Sequence, residues 1–166
     1  VHLEDSTVES VAGNIDITGV ATGSSSEGVY IDSSTIESTG TTKANAATVT
    51  INGTGGSDGG GSPGVSGFPG TGMGVVSVAG NISITGQGGG AAGTNANAGI
   101  NQFFPISSTG TTKANAATIT LDGTGGIGNV NNIGLIVNNP ITSVAGDINI
   151  TGQGGMGTVD RSHGIL

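Results

Sequence analysis

Ser77-Val-Ala-Gly-Asn-Ile-Ser-Ile-Thr-Gly86 is written three times in this chain. It stands at Ser10–Gly19 with Asp16 in place of the second serine, and at Ser143–Gly152 with Asp147 and Asn149 in place of Asn81 and Ser83. In each copy two isoleucines flank one polar residue. Alternation at period two puts such a pair on one face of a β-strand and the residue between them on the other.

Between these copies lies a second, longer unit. Ser38-Thr-Gly-Thr-Thr-Lys-Ala-Asn-Ala-Ala-Thr-Val-Thr-Ile-Asn-Gly-Thr-Gly-Gly56 returns at Ser108–Gly126, changed only to Ile119, Leu121 and Asp122. Both units close on apolar-x-apolar-x-Gly. The apolar pairs are Ile15/Ile17, Val49/Ile51, Ile82/Ile84, Ile119/Leu121 and Ile148/Ile150. These ten side chains are the expected core stack.

Working outward, a strand-like run precedes each pair. Val1-His-Leu-Glu-Asp-Ser-Thr-Val-Glu-Ser10 aligns without gaps to Val29-Tyr-Ile-Asp-Ser-Ser-Thr-Ile-Glu-Ser38, and looser relatives begin at Val65, Ile100 and Leu135. Coils therefore run approximately over 1–28, 29–64, 65–99, 100–134 and 135–164, at 28 to 36 residues each. Self-similarity at such a period marks a solenoid, because one coil cannot bury its apolar face alone. The expected fold is all-β: one continuous right-handed parallel β-helix of about five coils stacked about 4.8 Å apart, its hand following the general rule for parallel crossovers. Gly-rich runs such as Gly53–Gly61 are expected at corners, where positive φ is cheap for glycine.

The coils alternate. The first, third and fifth take a short path through Val-Ala-Gly. The second and fourth insert six residues, giving Thr-Gly-Thr-Thr-Lys-Ala-Asn-Ala. The insertion is expected to bulge from one side at every second coil, about 9.6 Å apart from the coil spacing. Lys43 and Asn45, matched by Lys113 and Asn115, are the candidate bulge contacts. Lys43 and Lys113 would either meet acids on a neighbouring chain or serve as solvated charges that discourage misassembly.

Composition narrows the function. Glycine is 35 of 166 residues, the formal net charge is −8, and Lys and Arg together number 3. Nucleic-acid binding needs clustered cations, so it is not expected. No apolar run reaches the about 20 residues of a membrane helix, so no membrane insertion is expected. The absence of a starting methionine and of a signal peptide suggests a processed or excised chain. Catalysis on a β-helix needs clustered carboxylates or bases in a cleft. Here acids are sparse, Arg161 is the single arginine, and His2 and His163 sit near the ends. A carbohydrate-active enzyme is thus the least favoured reading, and a non-enzymatic role is expected.

Eight of the eleven acids lie within the first 58 residues. Glu4 aligns with Asp32 and Glu9 with Glu37, which makes these four the candidates for a bridging Ca²⁺, a hard cation that takes oxygen ligands. A solvated acidic face is the favoured alternative, since the spacing does not supply the about six ligands Ca²⁺ usually takes. No other cofactor is expected. Phe103-Phe104-Pro105 is a candidate contact patch, with one phenylalanine turned inward by strand alternation.

Ile84-Thr-Gly-Gln-Gly-Gly89, its copy at Ile150–Gly155, and Gly28-Val-Tyr-Ile31 carry a resemblance that spans nearly the whole chain. They resemble the β-strand-repeat surface proteins of bacteria related to filamentous haemagglutinins. The resemblance implies an exported, elongated β-helix serving adhesion, surface layers or biofilm, located outside the cell or on its surface. The N-terminal secretion domain of such proteins has no counterpart here, so the export route stays open. The chain opens inside a strand at Val1-His2-Leu3. It closes on Gly164-Ile165-Leu166, which aligns to Gly28-Val29-Tyr30. Neither end reads as a cap, so Val1, Leu3, Ile165 and Leu166 are the expected end-to-end contacts. The expected partner is a second copy or the continuation of a longer repeat chain, with surface carbohydrate as the alternative partner of an adhesin stalk.

Overall fold

A computed structural model of the chain describes residues 1–166 except Pro69, Thr71, Gly72 and Asp160. Among the described residues there is no helix. Each coil contributes three strands, and successive coils stack in parallel.

The first sheet holds β1 (His2–Glu4), β4 (Val29–Asp32), β7 (Val65–Phe68), β10 (Ile100–Gln102) and β14 (Leu135–Val137), in that order. The second holds β2 (Thr7–Ser10), β5 (Thr35–Ser38), β8 (Gly74–Ser77), β11 (Ile106–Ser108) and β15 (Ile141–Ser143). The third holds the longest strands: β3 (Ile15–Val20), β6 (Val49–Thr54), β9 (Ile82–Gln87), β12 (Ile119–Thr124) and β16 (Ile148–Gln153). A small fourth sheet pairs β13 (Ile127–Gly128) with β17 (Met156–Gly157). The fold is a parallel β-solenoid of five coils. Register pairs Val29 with Val65, Val65 with Ile100, Ile100 with Leu135, and Leu135 with Ile165.

The core is a narrow column of branched side chains. Ile15, Val49, Ile82, Ile119 and Ile148 are successive register partners, as are Ile17, Ile51, Ile84, Leu121 and Ile150. From the second to the fourth coil these residues are wholly buried, joined by Val29, Ile31, Ile36, Val65, Val75, Ile100, Phe104 and Ile106, and by Leu135 at the opening of the fifth. Burying one such side chain contributes about 1.5–3 kcal/mol. The outer coils depart from the expected stack. Ile15 is buried, Ile17 is only half-buried, and Ile148 and Ile150 are 39% and 38% exposed. An end coil has a neighbour on one side only.

Two expectations about the path need correction. The run Val1–Ser10 is not one strand: β1 and β2 meet at a corner, as do β4 and β5. Asp5 and Ser33 take φ of 46° there, a left-handed conformation that short polar residues tolerate. The hydroxyls of Ser6 and Ser34 donate to the carbonyls of Glu4 and Asp32, each at 2.7 Å, and hold the corner. The signal was a change of parity. Inward residues fall at odd numbers in Val29 and Ile31 and at even numbers in Ile36 and Ser38.

The second correction concerns glycine. Gly19, Gly53, Gly86, Gly123 and Gly152 form one column of the third sheet. A Cβ on Gly53 would lie 1.9 Å from the Gly64 carbonyl oxygen, and one on Gly86 would lie 2.1 Å from that of Gly99. Glycine is required because two backbones touch where the coil closes. Positive φ among the described glycines is confined to Gly61, Gly74, Gly90 and Gly93.

Polar side chains also stack inside. Asn97 and Asn132 are fully buried. The Asn97 amide nitrogen donates to Asn132 Oδ1 at 3.2 Å, while Asn97 Oδ1 accepts from the Ser62 backbone at 3.2 Å. The Asn132 amide passes the chain on to the Met156 carbonyl at 3.1 Å. Each amide thus meets its buried donors and acceptors along the stacking axis.

Candidate functional site: an aromatic strip beside paired carboxylates

The first sheet presents alternate side chains outward. Core-facing Val29, Ile31 and Val65 leave Tyr30, Asp32, Ser66 and Phe68 on the outer face. His2 pairs with Tyr30, Tyr30 with Ser66, and Asp32 with Phe68. Phe103, just past β10, continues the row. Ring centroids lie 4.9 Å apart for His2–Tyr30, 6.3 Å for Tyr30–Phe68 and 6.1 Å for Phe68–Phe103. The first two contacts are edge-to-face at 71° and 69°, and the third is near parallel at 11°. One ring from each of four consecutive coils thus forms a strip along the axis. Phe68 is 62% exposed. Phe104, as strand alternation predicts, is buried in the core instead.

The strip borders one acidic pair: Glu4 is the register partner of Asp32 on the same sheet. The other pair, Glu9 and Glu37, is matched on the second sheet. Burial raises the Tyr30 phenol above its ordinary pKa, and the carboxylates of Asp32, Glu27 and Glu4 push it the same way. Negative charge therefore surrounds the phenol. Ser66 sits in the same outward column, is only 4% exposed, and its Oγ lacks a hydrogen-bond partner.

As a Ca²⁺ site the pairs are poor. Among the described residues no three His, Cys, Asp or Glu side chains are grouped to hold a metal ion. Asp32 Oδ1 accepts from the Ser33 hydroxyl at 3.1 Å, and Glu9 Oε1 from Thr39 Oγ1 at 3.3 Å. Glu4, Asp32, Glu9 and Glu37 supply pairs where Ca²⁺ takes about six oxygens. A ligand that binds only the folded state raises Tm with its concentration. Thermal melts in excess calcium and in EDTA are therefore expected to superimpose. A Tm that climbs steadily with added calcium would reverse this.

The bulges behave differently from the separated projections the sequence suggests. The Lys43 backbone N–H donates to Asn115 Oδ1 at 3.3 Å, so the bulge of coil two reaches that of coil four across the short coil between them. Asn45 closes a single turn, its N–H donating to the Thr42 carbonyl at 3.0 Å. The Lys113 ammonium meets Asp147 of the next coil at 3.2 Å, with side chains 79% and 62% exposed. Exposed pairs contribute about 0–1 kcal/mol, so this contact orients the bulge more than it stabilises it. At the ends, Val1, Ile165 and Leu166 are 52%, 49% and 64% exposed, and Leu3 packs partly against the core.

Sequence reasoning missed two features. Gln102 is wholly buried, and its Oε1 accepts from the backbone N–H groups of Asn138 and Asn139, each at 3.2 Å. Its amide nitrogen donates to the Phe104 carbonyl. One side chain thereby ties two successive corners together. The second feature is a groove of about 490 Å³ running along the axis beside the third sheet. Thr54, Gln87, Thr124 and Gln153, which are register partners, line it over a glycine floor, with Ile127 and Met156 at its side. The recurring Thr-Gly-Gly and Gln-Gly-Gly endings were the available signal. Set against known protein families, curated proteins and solved structures, the chain matches none.

Proposed function

We propose that this chain is a non-enzymatic rod segment of an extracellular or cell-surface fibre, of the kind its resemblance to bacterial β-strand-repeat proteins suggests. One observation carries the reading: the parallel register runs unbroken through all five coils in each of the three main sheets. A core built this way adds coils along one axis without changing its cross-section. Ile148 and Ile150, 39% and 38% exposed, are the surface that a further coil covers, whether from the same chain or from a second copy. A head-to-tail contact of that sort does not close on itself and so yields a filament.

The test is electron microscopy of the purified chain over a range of concentrations, with sedimentation velocity alongside. Long unbranched fibres are expected, and Ile150→Lys is expected to return them to short rods by placing a charge on the contact. Monodisperse rods at every concentration would refute self-assembly by stacking.

A second reading, an adhesin stalk that binds carbohydrate, is favoured by the groove. Its hydroxyl and amide side chains recur once per coil, and such groups both donate to and accept from sugar hydroxyls. Discrete rods that bind a neutral glycan, with loss of binding in Gln87→Ala, would support this reading over the first.

A further inference from the structure

We propose that the aromatic strip of the first sheet is a docking site for a basic polypeptide segment, whose arginine or lysine heads lie against Tyr30, Phe68 and Phe103 and face Asp32 and Glu4. The proposal rests on neither functional reading above.

Three independent observations converge on it. The first is the row of rings itself. His2, Tyr30, Phe68 and Phe103 make contact coil by coil, and Phe68 keeps 62% of its surface exposed. Aromatic faces carry negative potential and attract a cation held within about 6 Å of the ring centre. The second is charge. Eight of the eleven carboxylates lie in the first 58 residues beside one lysine, and strands β1, β4, β7, β10 and β14 contain neither Lys nor Arg. Asp32 is the register partner of Phe68, so a carboxylate and a ring sit one coil apart, about 4.8 Å. A guanidinium spans that gap, donating to the carboxylate while lying over the ring. The third is Ser66, which faces outward between Tyr30 and Asn101 and is 4% exposed, with Oγ left without a hydrogen-bond partner. The Ser66 oxygen thus keeps a lone pair free to accept a hydrogen bond from a cationic N–H donor.

These features select among occupants. A nucleic acid is repelled by the carboxylates. A neutral glycan would stack on the rings but would draw nothing from the surrounding charge. A basic peptide uses both.

The chain supplies its own reporter. Tyr30 is the sole tyrosine and there is no tryptophan, so intrinsic fluorescence reads the strip directly. The full chain is titrated with a short oligoarginine peptide and, separately, with a neutral oligosaccharide. A saturable change with the peptide is expected, weakening as salt rises. Phe68→Ala and Asp32→Asn are each expected to weaken binding by about tenfold, the order of a partly desolvated cation–π or charge contact. Phe68 is exposed, so its replacement leaves the fold intact, checked by an unchanged far-UV spectrum. A double change, Glu9→Gln with Glu37→Gln, removes two charges from the second sheet and is expected to leave the affinity unchanged. Equal weakening by that control would reduce the effect to diffuse attraction and overturn the site. A response to the oligosaccharide alone would overturn the occupant. No saturable response to either ligand would overturn both.

Discussion

Gly80→Ala is expected to destabilise the chain by about 3 kcal/mol, whereas Gly13→Ala, in the same five-residue context Ser-Val-Ala-Gly-Asn, is expected to change stability by less than about 0.5 kcal/mol. The two glycines are locally indistinguishable, and neither takes a positive φ. They differ in what lies alongside. A Cβ on Gly80 would lie 1.7 Å from the Ala47 carbonyl oxygen and 2.6 Å from its carbon, both backbone atoms of the preceding coil. A Cβ on Gly13 would meet only Ser10 Oγ, at 3.7 Å.

Backbone atoms pinned in a hydrogen-bonded stack have little room to retreat. The Ala47 carbonyl also accepts from the Ser38 hydroxyl at 2.6 Å, which fixes it further. A methyl group at residue 80 therefore forces the second and third coils apart. Urea unfolding followed by far-UV circular dichroism checks the pair. Equal midpoints for Gly80→Ala and Gly13→Ala would show that the glycine answers to local conformation rather than to the adjacent coil. A midpoint for Gly13→Ala at or slightly above that of the parent is expected, since alanine restricts the unfolded chain.

That contrast bears on what the sequence makes legible. Repetition reveals which residues share a column, because near-identical copies align without ambiguity. The register partners Glu4–Asp32 and Glu9–Glu37, and the sequence of the isoleucine stack, follow from that alignment alone. Repetition does not reveal how far apart two columns lie across the coil. Gly53 touching Gly64, and Gly80 touching Ala47, depend on where the chain turns between copies. Glycine-rich segments therefore read in sequence as turns, although several of these glycines mark close approach of two backbones.

The strip on the first sheet was hidden for a related reason. Tyr30 stands second in its coil while Phe68 and Phe103 stand fourth, so no single column contains all three. Their contact comes from long rings bridging diagonal neighbours. The contact between the bulges joins residues 72 apart in sequence, and it rests on a loop path that no local pattern encodes. Gln102 shares its inward parity with Ile100, but the partners that satisfy its buried amide lie at two neighbouring corners that no local pattern specifies.

Ile84→Ala is expected to cost about 4 kcal/mol, and Ile150→Ala about 1 kcal/mol, the difference being one neighbouring coil. Ile84 is wholly buried between its register partners Ile51 and Leu121. Truncation there removes apolar contacts and leaves a cavity that hydrogen-bonded strands above and below cannot collapse to fill. Ile150 has Leu121 on one side and is 38% exposed, so truncation removes less buried surface and opens no enclosed void. The effects should also differ in reach. In a stack stabilised by nearest-neighbour contacts, a defect in the middle uncouples the two halves, while a defect at an end frays only that end. Native-state hydrogen exchange resolves this. Ile84→Ala is expected to raise exchange in the second, third and fourth coils, and Ile150→Ala in the fifth alone. If the fifth coil is covered by another copy at high concentration, the cost of Ile150→Ala should rise with concentration toward that of Ile84→Ala. A cost that stays flat across that range would separate a freestanding rod from a stacking one.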